Sequence, residues 1–269
     1  MKFNIRMKSE DVGIVDNDIF QFTWKQHFLT HAAMKKFTSM NGKIYTVNKS
    51  SCRVSYAALN RNEPGAVAAR GWTQYIEKDF SHPIENDYLD AINTLIDSES
   101  RPLSPIENTR IIKYLALWSS RFSFKDSDIS TDIDDQYETI DLTPFARQCL
   151  EQRNTSQAGV VLRHEQNSFE IEKLYQSIVN DLSNTKFQLH KVRCDMNLVI
   201  PDKTNLLCVP IASNSVLLPE ISSFNGRSKE DVSKLNFDLI NQSHEYYWFA
   251  DVNKVIRCLV SSLKCNDQR

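Results

Sequence analysis

"KFQLHKVRCDMNLVIPDKTNLLCVPIASNSVLLPEI", Lys186 to Ile221, decides the fold class. Inside it "KFQLHKVR", "MNLVIPD", "LLCVPIA" and "SVLLPEI" are short strand-like runs separated by Asp, Pro, Asn and Ser turn signals. No helix-length segment lies between them, so the pattern predicts an antiparallel meander and not a set of βαβ units.

Toward the N-terminus two helices are expected before this sheet, roughly Leu142 to Arg153 and Ser168 to Ser183, the latter opened by Asn167 with Glu170 three residues on. Toward the C-terminus Phe249, Val252, Ile256, Leu259 and Leu263 share one stripe of a closing helix. In the first half Phe20, Trp24, Phe28, Ala32 and Ala33 recur near helical spacing, so a helix is expected from Phe20 to Phe37 until Asn41-Gly42 breaks it. "KIYTV", Lys43 to Val47, then reads as a strand. Ile84, Tyr88, Ile92, Leu95 and Ile96 mark one face of a helix ending near Ser98.

The next boundary is the sharpest. In "SPIE" Ser104 can cap a helix, Pro105 fits its first position and Glu107 completes a capping box. Ile111, Leu115, Trp118 and Phe122 follow as a stripe facing the preceding helix, with Arg121 beside that stripe at the helix end. "KDSDISTDIDDQYETID", Lys125 to Asp141, then carries seven acidic residues without periodicity. It lacks the glycine and terminal glutamate of a calcium-binding EF-hand and reads as a solvated loop.

The expectation is one domain over 1–269, with a helical half 20–124, the acidic loop 125–141, and a helix and antiparallel-sheet half 142–264. The fold class is α+β, mainly helical, with a small antiparallel sheet formed largely from the second half.

Composition removes several function classes. With 41% hydrophobic and 10% aromatic residues the chain can fill a core. Its 32 basic and 34 acidic residues give a net charge of -2, so the overall balance does not call for nucleic acid or an anionic membrane, though a local patch stays open. "MKFNIRMKSEDVGIVD" lacks a signal-peptide core and no stretch is long and apolar enough to span a bilayer, so a cytoplasmic protein without a membrane partner is expected. Cys52, Cys149, Cys194, Cys208, Cys258 and Cys265 form no CxxC pair, as in a reduced intracellular protein without structural zinc. Six glycines, with no GxGxxG and no GxxxxGK[ST], argue against P-loop and dinucleotide-binding enzymes. GxSxG, HExxH and internal repeats are absent as well.

"HFLTHAAMKKFTSMNGKIYTVNK", from His27, resembles the opening of a widespread bacterial and fungal family of unknown function. Its members begin near His-Tyr-(Val/Ile)-Pro-x-x-Tyr-Leu-(Arg/Lys)-x-Phe and run into a Gly-x-(Ile/Leu)-x-Val-Tyr strand. His27 matches the family histidine, Met34 its leucine and Phe37 its phenylalanine. "QYIEKDFSHPIENDYLDAINTL" is similar to the paired-glutamate helix, with Glu77 and Glu85 at the acidic positions, and "IIKYLALWSSR" resembles the helix ending in arginine, here Arg121. "NLVIPDKT" resembles the turn whose aspartate falls on Asp202, "VPIASNSVLLPE" the following strands, and "INQSHEYYWFADVNKVI" the closing helix with its asparagine at Asn241. Thr30 replaces the proline of the first motif and Pro201 the serine before Asp202.

The resemblance singles out His27, Glu85, Arg121 and Asp202 as candidate catalytic residues. His27 would be a general base near neutral pH and Arg121 a bidentate phosphate or carboxylate clamp. Glu85 and Asp202 would hold a divalent metal or orient the other two. This set suits a hydrolase of nucleic acid or a nucleotide, and the family's scattered distribution implies a role in bacterial or phage conflict.

Each residue also has a structural alternative: His27 as an interior histidine, and Glu85 with Arg121 as an ion pair between adjacent helices. His31, His82, His164, His190 and His244 read as packing or surface residues. Pro201-Asp202 followed by Glu220 to Ser222 has nearly the order of a restriction-type nuclease core, but Ser222 stands where lysine is needed and Pro219 interrupts the strand. The competing class is a non-catalytic protein-interaction or regulatory module, with "HEYYWF", "RGWTQY" and Trp118 as candidate anchors. An enzyme would gather the four polar residues in one concavity, whereas an interaction module would leave them as separate pairs and expose an apolar patch.

Overall fold

A computed structural model describes residues 23, 25–69, 71–125 and 163–255. The strands are β1 (Lys25–His27), β2 (Lys43–Asn48), β3 (Arg53–Ala58), β4 (Val67–Ala69), β5 (Arg101–Pro102), β6 (Phe187–Lys191), β7 (Ile200–Pro201), β8 (Val209–Ala212), β9 (Ser215–Pro219) and β10 (Tyr246–Phe249). The helices are α1 (His31–Met34), α2 (His82–Ile96) entered through a π-helical stretch Ile76–Ser81, α3 (Pro105–Ser123), α4 (Arg163–Asp181) and α5 (Lys229–Gln242).

The strands form three antiparallel sheets, ordered β1-β4, β3-β2-β10-β7 and β5-β6-β9-β8. This corrects the expectation of a mainly helical protein with one small sheet drawn from the second half. The protein is α+β, but its sheets take strands from both halves, and β2 of the first half pairs with β10 of the last described segment. The meander is corrected too. β8 and β9 form a hairpin, β6 joins β9 rather than β8, and β7 leaves for the other sheet.

Other boundaries move for identifiable reasons. Between Phe20 and Phe37 the described residues form β1 and then one helical turn, because Gln26 commits its side chain to the backbone of Trp72. α4 begins at Arg163, so Asn167 lies within it, and its amide donates to the carbonyl of Gly71 at 2.7 Å instead of capping the helix. Phe249 belongs to β10, not to a closing helix. The expected helix Leu142 to Arg153, residues 126–141 of the acidic loop and the stripe from Ile256 onward lie outside the described residues. Among those described, no helix is long and apolar enough to cross a membrane.

Local chemistry explains the parts that follow the sequence. Ser104 caps α3: its hydroxyl accepts from the Glu107 N–H, and its own N–H donates to the Glu107 carboxylate at 2.8 Å. In the β2–β3 connection the Asn48 side-chain oxygen accepts from Ser51 N–H and from the hydroxyls of Ser50 and Ser51, each at 2.8 Å, and Cys52 takes a left-handed φ of 52°. Gly226 has no room for a side chain, since a Cβ there would lie 1.9 Å from the Lys191 carbonyl oxygen.

Two lysines tie helix ends to the sheets. Lys49 Nζ donates to the carbonyls of Ile240 and Ser243 at 2.8 and 2.7 Å, closing α5. Lys191 Nζ does the same for α2 through Ile96 and Leu95. Both place a cation on unsatisfied carbonyls at the negative end of a helix dipole. Buried amides add a second kind of tie. Asn108 bonds Thr185 and Phe187 across α3 and β6, and Asn236 bonds Asn197 and Val199 across α5 and the approach to β7.

The α3 cap yields a test. The Arg101 guanidinium holds the Glu107 carboxyl down at about 2. Its contribution is therefore complete above the ordinary carboxylate range and lost as pH falls through about 2. Ser104→Ala should cost about 1 kcal/mol in urea unfolding at neutral pH. Glu107→Gln should remove the part of the acid-induced stability loss that this carboxyl causes.

Candidate functional site

Of the four sequence-predicted residues, the structure joins two. Arg121 is 1% exposed, and its Nη1 donates to Glu85 Oε1 at 2.5 Å and its Nη2 to Glu77 Oε2 at 3.1 Å. Eight positions separate the two glutamates, which on a uniform α-helix leaves their side chains about 80° apart. The wider winding of the π-helical stretch Ile76–Ser81, which contains Glu77, takes up that angle so that both carboxylates meet one guanidinium.

Trp72 completes the cluster. Its indole Nε1 donates to Glu77 Oε2 at 2.9 Å, and the Arg121 guanidinium lies 4.9 Å from its ring centroid. Gln26 fixes Trp72 from β1, accepting from its N–H at 3.1 Å and donating to its carbonyl at 2.8 Å. Beyond Glu85, Tyr88 stacks on Tyr114 with ring centroids 3.6 Å apart, and the Tyr114 hydroxyl meets the Thr30 hydroxyl at 3.3 Å.

The electrostatics are those of a closed pair. Burial pushes the Glu85 carboxyl up, against the pull of Arg121 and with the help of Glu77. Burial alone would weaken the Arg121 cation, but the two carboxylates hold its pKa above the ordinary value. One positive and two negative charges leave the cluster at -1 when all are ionised. Arg121 Nε is buried without a hydrogen-bond partner among the described residues.

Asp202 lies elsewhere. Its Oδ1 accepts from His244 N–H at 2.7 Å, and its Oδ2 from Glu245 and Tyr246 N–H at 2.8 and 2.9 Å. Its carbonyl accepts from the Trp118 indole at 3.0 Å, so it also anchors α3 one turn from Arg121. Burial pushes this carboxyl up, opposed by the three backbone donors. Asp202 follows β7 while Glu220 follows β9 of a different sheet, which separates the two halves of the nuclease-like pattern.

His27 is also engaged, its Nε2 donating to the Arg61 carbonyl at 2.5 Å. Successive strand residues point to opposite faces, so His27 turns away from the face on which Gln26 reaches Trp72. A cleft of about 520 Å³ opens beside residues 203–207, Leu182 and Gln242, and none of the four residues lines it. Glu77 and Glu85 are the carboxylates that converge. No third ligand joins them, since no group of three His, Cys, Asp or Glu among the described residues is placed to hold a metal ion.

The aromatic stretches offered as anchors are interior: Trp72, Trp118, Trp248 and Phe249 are all buried. Sequence reasoning missed the roles of Trp72, Gln26 and Ser168, whose hydroxyl accepts from Thr73 N–H at 2.8 Å. The one signal for Trp72 was its place five residues before Glu77. The chain matches no family model, no curated protein and no solved structure.

If the cluster is structural, Arg121→Ala strands two carboxylates and should cost about 3–5 kcal/mol in chemical denaturation. Asp202→Ala leaves three backbone donors unpaired and should cost about 3 kcal/mol or more. The raised Glu85 carboxyl makes the folded state bind the extra proton, so this group stabilises the fold as pH falls through the raised value, and that stabilisation is lost again as pH rises. Glu85→Gln should flatten that part of the stability profile above the ordinary carboxylate range.

Proposed function

We propose that the protein is a non-catalytic interaction module that works through β3 and the loop beside it. The observation that carries this reading is a contrast. His27, Glu85, Arg121 and Asp202 are each bonded to partners inside the protein, Arg121 through both terminal nitrogens though not through Nε, while all six residues of β3 are exposed. Val54 and Tyr56 are 58% and 41% exposed, and Met40 is fully exposed between Ser39 and Asn41, both bonded to the Tyr56 hydroxyl. Contiguous exposed apolar side chains on an open strand edge are a feature of binding surfaces. The exposed free thiol of Cys52 in the β2–β3 turn supports a reducing, cytoplasmic setting.

Hydrolysis of nucleic acid or a nucleotide, in bacterial or phage conflict, is the second reading. It draws on the family resemblance, on the unpartnered Arg121 Nε and on the two carboxylates gathered at one guanidinium. Against it stands the charge of the cluster, which would repel a phosphate unless Arg121 released a glutamate.

The full chain incubated with single- and double-stranded DNA, RNA and nucleoside triphosphates, with Mg²⁺ or Mn²⁺, should give no turnover above that of the His27→Ala and Glu85→Gln proteins. Turnover that either substitution abolishes while the protein stays folded would overturn the interaction reading.

A further inference from the structure

Among the described residues β3 pairs with β2 on one side only, so every second residue from Arg53 to Ala58 turns its N–H and C=O outward. Proteins usually shield such an edge with proline, a bulge, several charges or a covering segment. β3 has no proline and one charged residue, and its register with β2 is unbroken over all six pairs. The other outer strands of the two larger sheets differ: β5 and β7 have two residues each, and β8 is buried throughout.

The stretch of sequence that contains this edge is one-sided in charge. Residues 19–62 contain no Asp or Glu, in a chain that has 34, yet they carry Lys25, Lys35, Lys36, Lys43, Lys49, Arg53 and Arg61. Lys49 is spent on the end of α5 and Lys36 donates to Asn93 at 2.6 Å, but Lys35, Lys43, Arg53 and Arg61 are exposed. Arg53 lies on β3 itself at one end, and Lys43, on β2 opposite Ala58 at the other end, reaches toward β3 with its Nζ 5.4 Å from the Tyr56 ring, so a strand added to β3 pairs beside one cation and has a second one strand further in. Among the described residues, the carboxylates of Glu63, Glu245 and Asp251 from outside this span accept hydrogen bonds from Thr46, Asn48 and the N–H of Asn253 and keep their charge, and Glu63 is buried.

These features choose among occupants. A second copy of the chain would bring its own basic edge and be repelled. Stacking of single-stranded bases uses open aromatic faces, and Tyr56 is stacked on Tyr45 at 4.3 Å with Lys43 5.4 Å from its ring, while binding of a duplex through its phosphates leaves the outward backbone row unused. An extended peptide uses the outward N–H and C=O row directly, and acidic side chains suit Arg53 and Lys43. Resting on the interaction reading, we infer that β3 is a strand-addition site for an acidic extended peptide segment.

The test is backbone hydrogen exchange of the full chain over Arg53–Ala58. The probes are a short peptide of alternating Glu and Thr, its Lys-for-Glu counterpart and a single-stranded deoxyoligonucleotide. The acidic peptide should protect β3, its affinity should fall with added salt, and the Lys43→Glu/Arg53→Glu protein should bind it about tenfold more weakly or worse. Equal protection by both peptides overturns the acidic preference and leaves the interaction reading standing. Protection that grows with protein concentration without peptide makes a second copy the occupant and overturns the proposal in the same limited way. No protection by either peptide overturns the strand-addition site, and the turnover assay then decides the broader reading. Oligonucleotide binding accompanied by turnover overturns both.

Discussion

A guanidinium taken out of water needs opposite charge and hydrogen-bond acceptors at fixed positions, and Arg121, 1% exposed, imposes that need on everything around it. Glu85 comes from α2, Glu77 from the π-helical stretch before it, and Trp72 from the segment that Gln26 of β1 holds in place. One side chain therefore fixes how α2, α3 and the small β1–β4 sheet meet. An apolar residue at that position would fill space without choosing a register, whereas a forked cation between two carboxylates accepts few arrangements.

The same logic recurs at lower cost elsewhere. Asp202 gathers three consecutive N–H groups at the start of β10 while its carbonyl accepts from the Trp118 indole on α3, which seats the central strand of one sheet against the long helix. Asn108, Asn167 and Asn236 each join a helix to a non-helical segment, and Lys49 and Lys191 close helix ends. The apolar core supplies the driving force, while these polar contacts determine which sheet faces which helix.

Legibility followed range. The α3 start was readable because its cap is contained within four residues, and β2 and the β8–β9 hairpin because alternation and turn residues are local. β1, β4, β5 and β7 span two or three residues, too few to show a period, and their pairing partners are distant. "YYWF" of β10 is a continuous apolar run, which periodicity cannot tell from helix; only its place between β2 and β7 makes it a strand. At the candidate site the Glu85–Arg121 pair was legible as two complementary residue types on neighbouring helices. The closure of Asp202 by backbone N–H groups was not, because it depends on partners more than forty positions away.

On the interaction reading proposed above, the polar positions that looked like chemistry serve assembly, and the open edge of β3 carries the binding. The most direct check of that division is the exchange of the Arg121 guanidinium protons, followed by NMR on the full chain. A guanidinium locked between Glu77 and Glu85 keeps slow exchange and unchanged shifts when Mg²⁺ with nucleotide or single-stranded DNA is added. Exchange that quickens, or shifts that move with ligand concentration, would mean that the pair opens to bind phosphate, and would contradict a structural role for Arg121.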